Sequence, residues 1–133
     1  MSNITFNLAT PADESELRRL LRENPIPGKI SVSFEREPNY FIGAGAGNTF
    51  HQAVIARDQN NGEIIGMGSR SIQDVYINGT VQRVGYLSDL RINQRYRVMR
   101  RALVRALAFF HNLHQDGRVS FYLSSIIEDN LSV

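Results

Sequence analysis

The chain has 133 residues, 42% of them hydrophobic and 21% charged, with a formal charge of +2, a length and mixture that suit one globular domain spanning 1–133. It contains no cysteine, which excludes disulfides, a thiol nucleophile and thiolate metal sites. No apolar run approaches the ~20 residues that cross a bilayer, and the opening Met1-Ser2-Asn3-Ile4-Thr5-Phe6 lacks the basic region and apolar core of a signal peptide, so the sequence reads as soluble, compatible with a cytoplasmic address and without a membrane partner.

Ile4 to Leu8 alternates apolar and polar residues, as a short half-buried strand does. Thr10-Pro11-Ala12-Asp13 then opens a helix: Thr10 can cap it, Pro11 suits the first helical position, and Asp13 favours the positive end of the dipole. Leu17, Leu20 and Leu21 give this helix a buried stripe, and Asn24-Pro25 ends it, because proline pushes its predecessor out of helical geometry. Phe34-Glu35-Arg36-Glu37 is expected to form one more helical turn before Pro38. Gly43 to Asn48 is glycine-rich, but no strand pattern precedes it and no Lys-Ser or Lys-Thr follows, so a surface loop fits better than a phosphate loop.

From Gln52 the period changes to that of strands. Gln52 to Arg57 is the first of these, closed by a turn over Asp58 to Gly62, followed by Ile64 to Ile77 and Thr80 to Ile92. Asn78-Gly79 joins the latter two as a hairpin, since both turn positions require positive φ. A helix is expected from about Arg97 to Gln115, with Met99, Leu103, Ala106, Phe110 and Leu113 on its apolar face. Asp116-Gly117 stops it, and Val119 to Ile127, with Phe121 and Tyr122 as sheet-face residues, reads as a further strand. A strand–helix–strand of this length makes a right-handed parallel crossover, and a ligand cleft is expected at the C-terminal ends of its strands.

Lys29 is the only lysine among 15 basic residues, and six arginines fall between Arg91 and Arg105, a stretch without Asp or Glu. The strand ending at Ile92 runs through a short turn into a helix whose first-turn N–H groups have no partners within the helix. Those donors and the dipole suit an anion. Arg97, Arg100 and Arg101 in that first turn oppose the dipole unless an anion balances them; a solvated arginine face is the plainer alternative. Tyr96 is the one aromatic residue among these arginines, short of the repeated interleaving that base-stacking modules require, which argues against nucleic acid as a partner. Asp89 is the carboxylate nearest the expected cleft; it suits a general base, or a strand-face ion pair with Arg91. His111 and His114 lack a third ligand close by, so no metal is expected. Glu35 and Glu37 suit a solvated turn as well as a substrate entrance.

The run Leu90-Arg91-Ile92, Tyr96-Arg97-Val98-Met99-Arg100-Arg101-Ala102 resembles the coenzyme A signature of the GNAT superfamily of N-acetyltransferases. Gly62-Glu63-Ile64-Ile65-Gly66 is similar to that family's third strand, Glu128-Asp129-Asn130 to the end of its fifth, and Arg36-Glu37-Pro38-Asn39-Tyr40-Phe41 to a segment of some members. The resemblance implies a mixed α/β (α+β) fold: a mainly antiparallel sheet, flanking helices and one parallel crossover. It implies acetyl-CoA as cosubstrate, with Leu90, Arg91, Ile92, Arg97, Val98, Met99, Arg100, Arg101, Ala102 and Asn130 at the cofactor and Asp89 as general base. The acceptor would be a primary amine of a small molecule or peptide, attacking directly in a ternary complex. Arg100 stands where the family's loop carries glycine, so its guanidinium either displaces the cofactor or binds phosphate itself, and a non-catalytic coenzyme A-binding domain is the alternative reading. Family members continue past the position of Asn130 into a helix, often bearing the tyrosine that protonates the departing thiolate, and two more strands. The chain is therefore expected to be cut short at Val133, with the general acid beyond it and self-association near Val119–Ile127.

Overall fold

The computed structural model describes residues 3–25, 36–45, 49–93 and 100–124, and for residues 44, 45 and 100–103 the backbone alone. In chain order these are β1 (Ile4–Leu8), one 3-10 turn (Pro11–Asp13), α1 (Glu14–Glu23), α2 (Tyr40–Gly45), β2 (Phe50–Asp58), β3 (Glu63–Ile77), β4 (Thr80–Ile92), α3 (Arg100–His114) and β5 (Tyr122–Leu123). The strands form one sheet in the order β1-β2-β3-β4-β5. Pairing is antiparallel from β1 to β4 and parallel between β4 and β5, so α3 lies in the expected crossover.

The start of α1 shows local chemistry choosing the boundary. Asp13 accepts from the Thr10 amide at 2.9 Å, and its other oxygen accepts from Arg57 at 2.8 Å, tying the helix entrance to β2. At the far end the Asn24 side chain donates to the Leu20 carbonyl at 2.9 Å, satisfying a terminal acceptor. Leu17, Leu20 and Leu21 pack with Tyr40 onto Ala53, Ile55, Ile64 and Met67. Full burial of each leucine contributes roughly 1.5–3 kcal/mol before the entropy of ordering it is counted.

The second helix lies elsewhere than expected. It follows Pro38, at Tyr40–Gly45, while Arg36 and Glu37 precede it in irregular backbone. Asn39 accounts for the shift: its side-chain oxygen accepts from the Ile42 amide at 3.1 Å, capping the helix. Gly43 to Gly45 therefore end a helix instead of opening a loop, and Phe34, Glu35 and residues 46–48 lie outside the described residues.

The β3–β4 hairpin turns at Asn78 and Gly79, with φ of 52° and 79°, the left-handed pair that its sequence demanded. On α3, Ala106, Phe110 and Leu113 are half-buried on the inward face, while Val104 and Leu107 are exposed. β5 is shorter than the expected Val119–Ile127: among the described residues only Gly85↔Tyr122 and Tyr86↔Leu123 pair with β4, and residues 125–127 lie outside them. Gly85 is required here, because a Cβ on it would stand 2.3 Å from the Tyr122 ring.

Arg70 joins these elements. It is 2% exposed and donates to Gln52 on β2, Tyr122 on β5, the Leu113 carbonyl at the end of α3, and Asp116 in the following turn. A buried guanidinium is tolerable only when its donors are used in this way.

Candidate active site

β3 and β4 pair continuously from Ile77↔Thr80 to Ser69↔Ser88, then resume at Met67↔Arg91. Two steps along β3 thus face three along β4, so Asp89 and Leu90 form a bulge opposite Gly68. Asp89 has φ of 57°, a left-handed conformation uncommon outside glycine. The bulge lies just beyond the last described β4–β5 pair, Tyr86↔Leu123. Past Tyr86, no strand of the described residues pairs with that flank of β4.

The two bulge residues face opposite sides of the sheet. Leu90 lies toward α3, in an apolar pocket that it lines with Phe6, Val54, Ala56, Ile65 and Phe110. Gly68 makes room for it: a Cβ there would come within 3.1 Å of the Phe110 ring. Asp89 lies toward α2 and is buried, with one carboxylate oxygen accepting from Arg36 at 3.2 Å and the other from the Tyr40 hydroxyl at 3.2 Å.

Further polar groups gather on that side. The Tyr40 amide donates to Glu14 on α1 at 2.8 Å. Ser69 meets both the carbonyl of Ser88, at 3.3 Å, and its hydroxyl, at 3.0 Å. The His51 ring packs against Tyr40 with centroids 5.8 Å apart. Burial, and then the Asp89 charge, raise the Tyr40 hydroxyl well above its ordinary range, so it remains a donor. Burial also draws the His51 imidazole below its ordinary value, favouring the neutral ring.

Leu90, Arg91 and Ile92 lie at the bulge end of β4 and line one pocket with Ala106 and Phe110 of α3. Arg91 is buried, and one of its guanidinium nitrogens donates to the Leu90 carbonyl at 2.8 Å. Arg100, Arg101 and Ala102 begin the described part of α3, without acidic residues in its first turn. Arg97, Val98, Met99 and Asn130 lie outside the described residues. His111 faces Gln115, and His114 meets the edge of Tyr122. Glu37 accepts from Arg18 and Arg22 on α1. Sequence reasoning passed over Arg36, Tyr40 and His51 as site residues; Asn39 as a cap ahead of Tyr40-Phe41 was the signal that could have placed them.

No family model matches this chain, and no curated protein does. Solved structures do. An aminoglycoside 6′-N-acetyltransferase from Acinetobacter baumannii aligns with a TM-score of 0.67 at 17% identity, over 96% of this chain and 82% of its own. The glucosamine-6-phosphate N-acetyltransferase of Arabidopsis thaliana gives 0.66 at 13% identity, over 97% and 86%. AAC(6′)-Iy, solved with the bisubstrate analogue CoA-S-monomethyl-acetylneamine, gives 0.69 at 18% identity, over 97% and 83%. Likeness at this level of identity concerns the path of the chain, and the path is shared almost end to end.

Proposed function

We infer, on the premise that the chain has the GNAT acetyltransferase fold, that it moves an acetyl group from acetyl-CoA to a primary amine of a small molecule or a peptide. The observation that carries this reading is the β4 bulge at Asp89-Leu90, just beyond the last β4–β5 pair among the described residues. A bulge takes main-chain groups out of the sheet ladder. A main-chain N–H freed there can donate to a carbonyl oxygen as it becomes an oxyanion, in a site shaped before the substrate arrives. The flank of β4 from Leu87 to Leu90, which pairs with no strand among the described residues, also suits an extended, amide-bearing arm such as that of coenzyme A, by strand addition.

The residues present fit such a ligand in two further ways. Leu90, Phe6 and Phe110 line an apolar pocket on one side of the bulge. Arg100 and Arg101 begin the described part of α3, and on the sequence they and Arg97 would offer phosphates guanidinium groups beside a helix N-terminus. In the reaction the amine lone pair forms the new C–N bond at the thioester carbonyl and the tetrahedral oxyanion collapses. The C–S bond then breaks, and coenzyme A leaves as a thiol once it gains a proton. The proton lost by the amine has two routes, the Asp89 carboxylate or water in the cleft.

One feature favours a second reading. Arg100 replaces the glycine of the family's loop, which supports coenzyme A binding without transfer. Titration calorimetry with acetyl-CoA and thiol release with a panel of amines separate the two. Binding with amine-dependent thiol release supports the enzyme. Binding with no such release supports the second reading, and absence of binding contradicts both.

A further inference from the structure

Resting on the acetyl-transfer reading, we propose that Arg36, Tyr40 and Asp89 are positioning residues that lock the β4 bulge in one left-handed conformation, and that Asp89 serves through its main chain rather than as the base. The first ground is conformational. At φ of 57° Asp89 occupies a region that most L-residues avoid because Cβ crowds the backbone, and that Asp and Asn enter more readily than the rest. Such a conformation persists only when the surroundings over-determine it.

The surroundings here do so on the α2 face of the sheet. Both carboxylate oxygens are held, one by Arg36 and one by Tyr40, each at 3.2 Å. Tyr40 is itself fully buried, and its amide is fixed by Glu14 on α1. On the opposite face Leu90, 43% exposed, lines the apolar pocket beside Gly68. Ser69 bonds to Ser88 immediately before the bulge, holding the strands together where their ladder is interrupted.

The second ground concerns access. The Asp89 side chain is 5% exposed, and both its oxygens already accept from side chains that cannot leave without exposing a buried charge. A base has to reach the proton that it removes. A lock has only to hold still, and a main-chain donor fixed beforehand needs no reorganisation when the oxyanion forms.

Substitutions at position 89 separate the roles. Asn tolerates the left-handed region and keeps the shape, yet has no basicity; Gly adopts that region freely; Ala does neither. Asp89→Asn and Asp89→Gly should lose no more than about tenfold in kcat, whereas Asp89→Ala should lose about a hundredfold, the scale of a removed oxyanion donor. Thermal unfolding shows that each variant is folded, and acetyl-CoA affinity, measured by calorimetry, should be kept in the Asn and Gly variants and fall in the Ala variant. Tyr40→Phe should lower kcat and leave KM for acetyl-CoA unchanged.

Equal losses in the Asn, Gly and Ala variants, with disappearance of the acid limb of the pH–rate profile, would overturn the proposal and make Asp89 the base. The HN–Hα coupling of residue 89 gives a reading independent of activity. It should keep its left-handed signature in Asp89→Asn and lose it in Asp89→Ala. A signature retained in the Ala variant overturns the lock even if no amine is ever acetylated. Inactivity of the wild type with every amine, together with the expected couplings, would defeat the acetyl-transfer reading and leave the lock standing.

Discussion

On the α1–α2 side of the sheet Leu17, Leu21, Tyr40 and Ile64 are fully buried, and the polar groups of Arg36, Tyr40 and Asp89 find one another. On the α3 side Ile4, Ala56 and Ile65 form a smaller buried cluster, and Phe110 and Ala106 border an open apolar pocket. The outer face of α3 still shows Val104 at 66% and Leu107 at 55% exposure. The difference has a functional logic. Close packing transmits strain and excludes alternative rotamers, so the closed side can hold a main-chain conformation that is unfavourable by itself. The open side holds the apolar pocket that Leu90 lines with Ala106 and Phe110. A single strand, β4, belongs to both regions, and its bulge is where they meet.

The comparison breaks first if the closed side is not closed. Leu21→Ala should lower stability by about 2–5 kcal/mol in urea unfolding, because a rigid surround collapses little around the cavity. Gly85→Ala comes next. Its Cβ would meet the Tyr122 ring at 2.3 Å, and overpacking of this kind typically costs about 1–3 kcal/mol. The same variant should raise hydrogen exchange at Tyr122 and Leu123, as the parallel pair is lost.

Acid sharpens the comparison, since each side carries a sensitive group. On the α3 side the hydrogen bond from Arg70 holds Asp116 down at about 2 from its usual 3.8. A depressed carboxylate stabilises the fold above its unfolded value and ceases to as pH falls through its folded one, so this contribution fades between pH 3.8 and about 2. Asp116→Asn should flatten that part of the stability profile. On the α2 side burial depresses His51 below 6.5. The unfolded chain then binds the proton more readily than the folded one, and stability falls as pH drops below 6.5. His51→Gln should remove that slope. The smallest effect belongs to Leu107→Ala on the open face, within about 0.5 kcal/mol. A loss there comparable with that of Leu21→Ala would erase the distinction between the two sides.

Most of the scaffold was legible because its signals are local. Ile4–Leu8 and Thr80–Ile92 begin and end where alternation and the Asn78-Gly79 turn put them, and the inward residues Ala106, Phe110 and Leu113 follow from helical spacing. The helix after Pro38 was misplaced although Asn39 announced it. The bulge had no local signal: it arises from two steps on β3 facing three on β4, a property of the pair that neither strand's own pattern contains. Asp89 was accordingly noticed for its charge, while its conformation and its hold on Arg36 and Tyr40 escaped notice, because those partners lie 53 and 49 residues away in the chain. Arg70 was unremarkable in the sequence for the same reason, since its partners come from four separate elements.

The most direct test of the central claim, that acetyl-CoA is held at the β4 bulge, is an amide-resolved NMR titration with that ligand. Saturable shifts concentrated from Leu87 to Ile92 and in the first turn of α3, with Ile4–Leu8 and the Asn78-Gly79 turn unmoved, are the predicted result. Saturable binding that leaves Leu87 to Ile92 unperturbed would contradict the account.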